Sequence, residues 1–295
     1  MKEKLLGSLY LFLAASIWGS MYVLSKYILE FVSPITLLWI RYVIAFVVLF
    51  IILRVFQYKK GNKVVVKKGD WLLIAWIGFI GYFISIFMQF LGTQLSDAHT
   101  GALITASTPV FVVLFARFIL REAFTAKKII SLVLATLGVI IVIGLDRMFL
   151  KHLLGNIVLV GAAVTWALLS VYVKVASKRF DSLTITTYAM LFALIFTTPF
   201  MFLQHENISL ILYNRQFLLG ILYLGVISTA AAFFLWNKGI ELMDAGIGSL
   251  FLFFQPVTGS ILGWLCLGEQ LNTSFFIGGI LIIIGVFIAS KDEIH

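Results

Sequence analysis

Apolar runs of about twenty residues, divided by short polar stretches, recur along the whole chain. A helix of that length crosses the hydrocarbon of a bilayer. Ten runs fit: 5–27, 34–56, 71–94, 98–119, 126–144, 153–174, 183–203, 216–237, 245–266 and 273–290. Most linkers are short, which predicts that consecutive helices are antiparallel neighbours. The longest, 57–70 and 204–215, are too small for a separate domain. The pattern predicts an all-α polytopic membrane protein.

The pattern also repeats. At a spacing of 148, Leu5, Leu6, Gly7, Ala14, Ala15, Trp18, Val23 and Lys26 match Leu153, Leu154, Gly155, Ala162, Ala163, Trp166, Val171 and Lys174. At a spacing of 147, Gly92, Asp97, Ala98, Gly101, Pro109, Glu122 and Gly138 match Gly239, Asp244, Ala245, Gly248, Pro256, Glu269 and Gly285. A proline followed thirteen residues later by a glutamate in both halves is hard to obtain by chance. Five spans per half is an odd number, so the second half enters the membrane from the opposite side. The expected architecture is ten transmembrane helices in two inverted five-helix repeats, 1–147 and 148–295. Inverted repeats of this kind place a solute site near the midplane, between the halves.

Charge sets the expected orientation, because cytoplasmic loops collect Lys and Arg. With the N-terminus inside, the cytoplasmic segments hold Lys2 and Lys4, then Arg54, Lys59, Lys60, Lys63, Lys67 and Lys68, then Arg117, Arg121, Lys127 and Lys128, then Lys174, Lys178 and Arg179, and finally Lys238 and Lys291. The outer segments hold only Lys26, Arg147, Lys151 and Arg215. Both termini are therefore expected in the cytoplasm of a multi-pass cell-membrane protein. The first span is read as a permanent helix and not a cleaved leader, since its counterpart lies mid-chain. Composition agrees: 62% of residues are hydrophobic and 12% charged, against about 45–50% and about 25% in soluble domains. The net charge of +9 lies between the apolar runs and forms no face for nucleic acid. Cys266 is the single cysteine, so no intramolecular disulfide is possible.

Several segments carry a family resemblance: "WGSMYVLSK" in the first span, "SPITLLWIRY" in the second, "SDAHTGALITASTPVFVVLFARFILRE" in the fourth and "MDAGIGSLFLFFQPVTGSILGWLCLGE" in the ninth. With them the chain resembles the ten-span drug/metabolite transporter superfamily, specifically its EamA-like family. The resemblance implies a carrier in the inner membrane of a prokaryote, exporting amino acids or related small metabolites. It does not name the substrate.

Trp18, Tyr22 and Lys26 share one helix face, and Trp166, Ser170 and Lys174 repeat it. The tryptophans either wall a cavity, offering ring faces to an ammonium group, or pack helices. The lysines read as interface anchors. Thr108-Pro109 and Gln255-Pro256 hold equivalent places, and each proline frees a carbonyl beside a polar side chain. Arg41 is the cation deep in a span. It would hold a substrate carboxylate, reach carbonyls at a neighbouring helix end or snorkel outward, and a structural or gating role is favoured over direct binding. Tyr82 and Gln89 share a face of the third span, and Trp236 and Asn237 lie late in the eighth. The candidate substrate-binding set is Trp18, Tyr22, Arg41, Tyr82, Gln89, Thr108, Trp166, Ser170, Trp236 and Gln255. Asp97, Asp244, Glu122 and Glu269 sit at span ends and read as topological or capping residues.

No Asp or Glu lies near the middle of a predicted span, which argues against cation-drug antiport and a buried-acid proton relay. His99, His152, His205 and His295 lie in loops or at ends, and no HExxH, GxSxG or phosphate loop is present. An enzyme is therefore not expected, and neither a cofactor nor a bound metal. The expected partners are a small zwitterionic substrate and the lipid bilayer. A pore or a non-transporting membrane partner stands as the alternative.

Overall fold

A computed structural model describes residues 2–29, 31–60, 68–96, 104–143, 153–204, 215–267 and 273–294. The helices are α1 (Lys2–Leu29), α2 (Pro34–Lys60), α3 (68–95), α4 (Thr108–Leu120), α5 (Ala126–Ile143), α6 (Leu153–Ala176), α7 (Ser182–Leu203), α8 (215–242), α9 (245–267) and α10 (Thr273–Ile294). No strand occurs among the described residues. Seven helices are long and apolar enough to cross a membrane, and α4 and α10 contribute shorter apolar stretches. Local chemistry starts the helices alike in both halves. Asp181 accepts from the Thr184 amide at 2.9 Å and caps α7, and Ser33, 148 residues earlier, accepts from the Thr36 amide at 3.4 Å before α2. Oxygen-bearing side chains at this position satisfy amides that the first helical turn leaves unbonded.

The chain ends share one face, called here the terminal face. Ser8 near the start of α1 donates to the Met243 sulfur, and Lys128 at the start of α5 reaches Asp244. Helix α10 runs antiparallel to α5, with Gly138 against Gly278 and Gly285 against Ser131, which brings its C-terminus to the same face.

The principal packing crosses between the halves. Helix α1 packs on α8 and α9, and α6 packs on α3 and α4. Helix α2 meets α7 and α8, α7 meets α2 and α3, α4 meets α9, and α5 meets α10. Exchanging each helix for its partner five places along maps this set onto itself, as a two-fold relation between inverted repeats requires. The expectation that chain neighbours pack together is corrected: α1 and α2 barely touch. In lipid no hydrophobic drive pairs neighbouring helices, and close contact goes to faces with small side chains. The repeated glycines form those faces. A Cβ at Gly239 would lie 2.4 Å from Leu11 Cγ and 3.0 Å from the Gly7 carbonyl oxygen. A Cβ at Gly92 would lie 2.6 Å from Leu159 Cγ and 3.1 Å from the Gly155 carbonyl oxygen. Gly239→Val should therefore separate α1 from α8 and sharply reduce the folded fraction seen by size-exclusion chromatography, whereas an exposed Gly69→Val should not. Equal yields for the two would remove the crossing from this account.

Irregular turns also repeat. A π-helical segment spans Gly78–Ser85 in α3 and another Tyr223–Ala231 in α8. Moved by the repeat spacing of 147, the first falls on 225–232. The tighter 3₁₀ stretch Leu250–Phe253 precedes Gln255, and the Ser107 amide closes a turn on the Ile104 carbonyl just before Thr108. Such departures from the regular helix turn side chains and free backbone groups.

Candidate functional site

The two tryptophans of the sequence repeat meet at the seam. Trp18 of α1 and Trp166 of α6 lie edge to face with ring centroids 5.2 Å apart. Phe233 and Trp236 of α8 close the cluster, at 5.5 and 5.4 Å from Trp18. The Trp18 N–H donates to the Ser228 carbonyl at 3.0 Å, and the Trp236 N–H to the Ser170 hydroxyl at 3.3 Å. The buried Trp166 N–H makes no hydrogen bond among the described residues. A buried donor left without a partner costs about 1–3 kcal/mol, so this one is available to a ligand.

Above the cluster, away from the terminal face, lies a cavity lined by Trp18, Met21, Arg41, Ser85, Ile86, Gln89, Thr105, Thr108, Ala162, Ala163, Trp166, Phe233, Leu252 and Gln255. It leaves about 40 Å³ open to a water-sized sphere, against the ~150 Å³ of an engineered apolar cavity that binds benzene. The conformation is contracted around the site. Arg41 is 1% exposed. Its Nε donates to Thr229 Oγ1 at 3.0 Å, one terminal nitrogen approaches the Met21 sulfur at 3.3 Å, and the guanidinium lies 5.5 Å from the Phe90 ring centre. The other terminal nitrogen makes no hydrogen bond among the described residues. Arg41 thus neither snorkels nor reaches backbone carbonyls, and no carboxylate among the described residues pairs with it.

Of the residues expected from sequence, the cavity brings together Trp18, Arg41, Gln89, Thr108, Trp166 and Gln255. Tyr82, Ser170 and Trp236 do not line it: Tyr82 stacks on the lining residue Phe233 at 4.7 Å, and Trp236 packs on Trp18 while bonded to Ser170. The Thr108 hydroxyl donates to the Thr105 carbonyl at 2.6 Å, tying itself to the turn ahead of its proline. The side chains of Tyr22 and Lys26 lie outside the described residues, as do Asp97 and Glu269. Sequence reasoning missed Met21, Ser85, Thr105, Phe233 and Thr229. The repeat held a signal for two of them: moved by 147, Tyr82 falls on Thr229 and Ile86 on Phe233. The paired alanines Ala162 and Ala163 were seen as repeat markers, yet they provide the room beside Trp166.

The terminal face is closed beneath the site. The Glu122 carboxylate, just past the end of α4, accepts from the Ala245 and Gly246 amides at 2.7 and 3.1 Å, capping α9 of the opposite half. Lys128 bridges Glu122 at 3.4 Å and Asp244 at 3.1 Å. Glu122 does cap a helix, but one in the other repeat. Lys174 is corrected: its ammonium does not anchor to lipid but donates to the Glu241 and Met243 carbonyls at 3.0 and 2.6 Å, neutralising the C-terminal end of α8.

The EamA-like transporter family matches the chain twice, over residues 5–144 and 153–291. An uncharacterized transporter of Bacillus subtilis, YetK, is 29% identical over 295 residues, covering 97% of this chain and 87% of its own. Another from the same organism, YoaV, is 25% identical over 273 residues, covering 92% of each. An uncharacterized transporter of Archaeoglobus fulgidus is 24% identical over 286 residues, covering 95% of this chain and 97% of its own. A solved crystal structure superposes with a TM-score of 0.80 at 18% identity, covering 97% of both chains, and shares the fold.

Proposed function

We propose, from the premise that this chain belongs to the EamA-like transporter family, that it is a secondary carrier exporting amino acids or related small zwitterionic metabolites by alternating access. The observation that carries the substrate class is Arg41: a buried cation with an unused N–H at the cavity wall and no acidic partner among the described residues. Such a group calls for an anion from outside the protein. The substrate carboxylate meets Arg41 and the free Trp166 N–H. The aromatic cluster receives the apolar part and, through its ring faces, the ammonium.

The two repeats, 1–147 and 148–295, act as the moving halves. Binding shifts an existing balance between forms open to either side, and the contracted cavity over a closed terminal face represents a state between them. The terminal face is assigned to the cytoplasm, because it carries the Lys- and Arg-rich segments, and the membrane to the cell membrane. Catalysis is not part of this reading, which follows the transporter family to which the chain belongs.

The test is counterflow in proteoliposomes loaded with a labelled amino-acid panel. A saturable, exchange-capable flux is expected. Unsaturable conductance would favour a pore, and no flux at all a non-transporting partner. Gln255→Ala should raise KM about tenfold, the scale of one lost hydrogen bond to a charged group, without reducing folded protein. Unchanged kinetics would take Gln255 out of the site.

A further inference from the structure

The two halves place different chemistry at equivalent corners. In one, Arg41 of α2 touches Thr229 of α8 and Phe90 of α3. Under the repeat, Thr229 corresponds to Tyr82 and Phe90 to Asn237, while α2 corresponds to α7. At the matching corner, Asn237 Nδ2 donates to Tyr82 Oη at 2.7 Å and to Thr186 Oγ1 of α7 at 2.8 Å. Tyr82 and Thr229 each sit in a π-helical segment, Gly78–Ser85 and Tyr223–Ala231. One corner therefore holds a cation, and its inverted counterpart a neutral amide.

The orientation of that amide follows from its neighbours. Thr186 gives its only hydroxyl proton to the Ser182 carbonyl at 2.6 Å, so toward Asn237 it accepts. The group facing it is thus the NH₂ and not the oxygen. Asn237 is fully buried, and its Oδ1 has no donor among the described residues. The opposite corner has the complementary feature, a buried Arg41 N–H with no acceptor among the described residues.

We propose that Asn237, held by Tyr82 and Thr186, is a second binding station on the transport route, and that its Oδ1 takes the ammonium group of the substrate. This rests on the carrier reading above. Asn237 follows Thr229 by eight residues on α8, so the stations lie about 12 Å apart along the helix. One α-amino acid cannot occupy both. The carboxylate is read at Arg41, and the ammonium at Asn237 once the bundle opens toward the terminal face. Phe233, stacked on Tyr82 and edge-on to Trp18 and Trp166, separates the stations and has to turn aside. A neutral oxygen suits a group that must leave again, because a route needs sites that bind without trapping.

The experiment measures wild-type and variant counterflow with L-leucine against 4-methylpentanoate, and L-phenylalanine against 3-phenylpropanoate, pairs that differ only in the amino group. The wild type should prefer the amino acid by about tenfold or more. Asn237→Leu should narrow the preference to about twofold by slowing the amino acid alone. Asn237→Asp, nearly the same shape, should lower the KM for the amino acid and slow its turnover, since a carboxylate holds an ammonium too well. A folded Asn237→Leu with the wild-type ratio overturns the station. So does an Asn237→Asp protein with wild-type KM and turnover, which decides the matter if the leucine variant does not fold. Saturable wild-type flux with no preference within either pair defeats this inference and leaves the carrier standing. Absence of saturable flux from the wild type defeats both.

Discussion

Arg41→Met should lower kcat/KM for the transported solute by about 100-fold or more, while the thermal unfolding temperature holds or rises. Truncating one partner of a buried charge pair costs about 2–5 kcal/mol, and each 1.4 kcal/mol is tenfold. The stability effect runs the other way. In the free protein Arg41 is a desolvated charge whose contacts are a threonine hydroxyl, a methionine sulfur and an aromatic ring. Replacing it with an apolar side chain of similar length removes that desolvation penalty and leaves no orphaned acid behind. Arg41→Lys should recover only part of the flux, because a point charge replaces a planar fork. Transport kinetics in proteoliposomes and thermal unfolding in detergent check both halves. Normal flux in the Arg41→Met protein would withdraw the carboxylate assignment, and a collapse in stability would make Arg41 a structural residue.

Lys128→Met should open the terminal face. The ammonium is almost wholly buried and ties Glu122 at the end of α4 to Asp244 at the start of α9. Without it two carboxylates face each other across the repeat boundary, and Glu122 remains on the first amides of α9 with its charge uncompensated. Breaking a buried pair costs about 3–5 kcal/mol. Asp244 is 46% exposed, so water screens part of that loss, and a shift of about tenfold toward the open form is the appropriate scale. The reporter is a cysteine at Leu252, a cavity residue, in a chain whose Cys266 is replaced by serine. A membrane-impermeant thiol reagent applied from the terminal face should label it about tenfold faster when Lys128 is methionine. Equal rates would mean that the Lys128 bridge does not hold the closure.

The paired glycines and tryptophans illustrate how far the sequence could be read. Gly7 with Gly155, Gly92 with Gly239 and Gly138 with Gly285 stood out as a repeat because they recur at fixed spacing. Their purpose was hidden, since each closes a crossing against the opposite half. The chain-neighbour expectation failed for the same reason. Loop length limits how far two helices can separate, but in lipid it does not decide which faces meet. Trp18 and Trp166 were visible as a pair. That they touch each other, and that of the two only Trp166 keeps an unused N–H, depends on the Ser228 carbonyl, which arrives at Trp18 from a third helix, α8. Lys174 looked like a lipid anchor because the end of α8, whose carbonyls it binds, lies nearly seventy residues further along the chain.

The amino-acid sequence by itself determined the membrane-spanning character, the segmentation into apolar helices and the inverted repetition. Apolar run length and residue spacing are properties of the chain alone, and the bilayer imposes its thickness on them. The tertiary structure decided which helices interlock, that Glu122 caps a helix of the other half, and that Arg41 and Asn237 occupy matching corners with opposite unmet hydrogen-bonding needs. Those features depend on side chains from distant segments converging at a few ångströms, and hydrogen bonds and ion pairs lose their strength within that range.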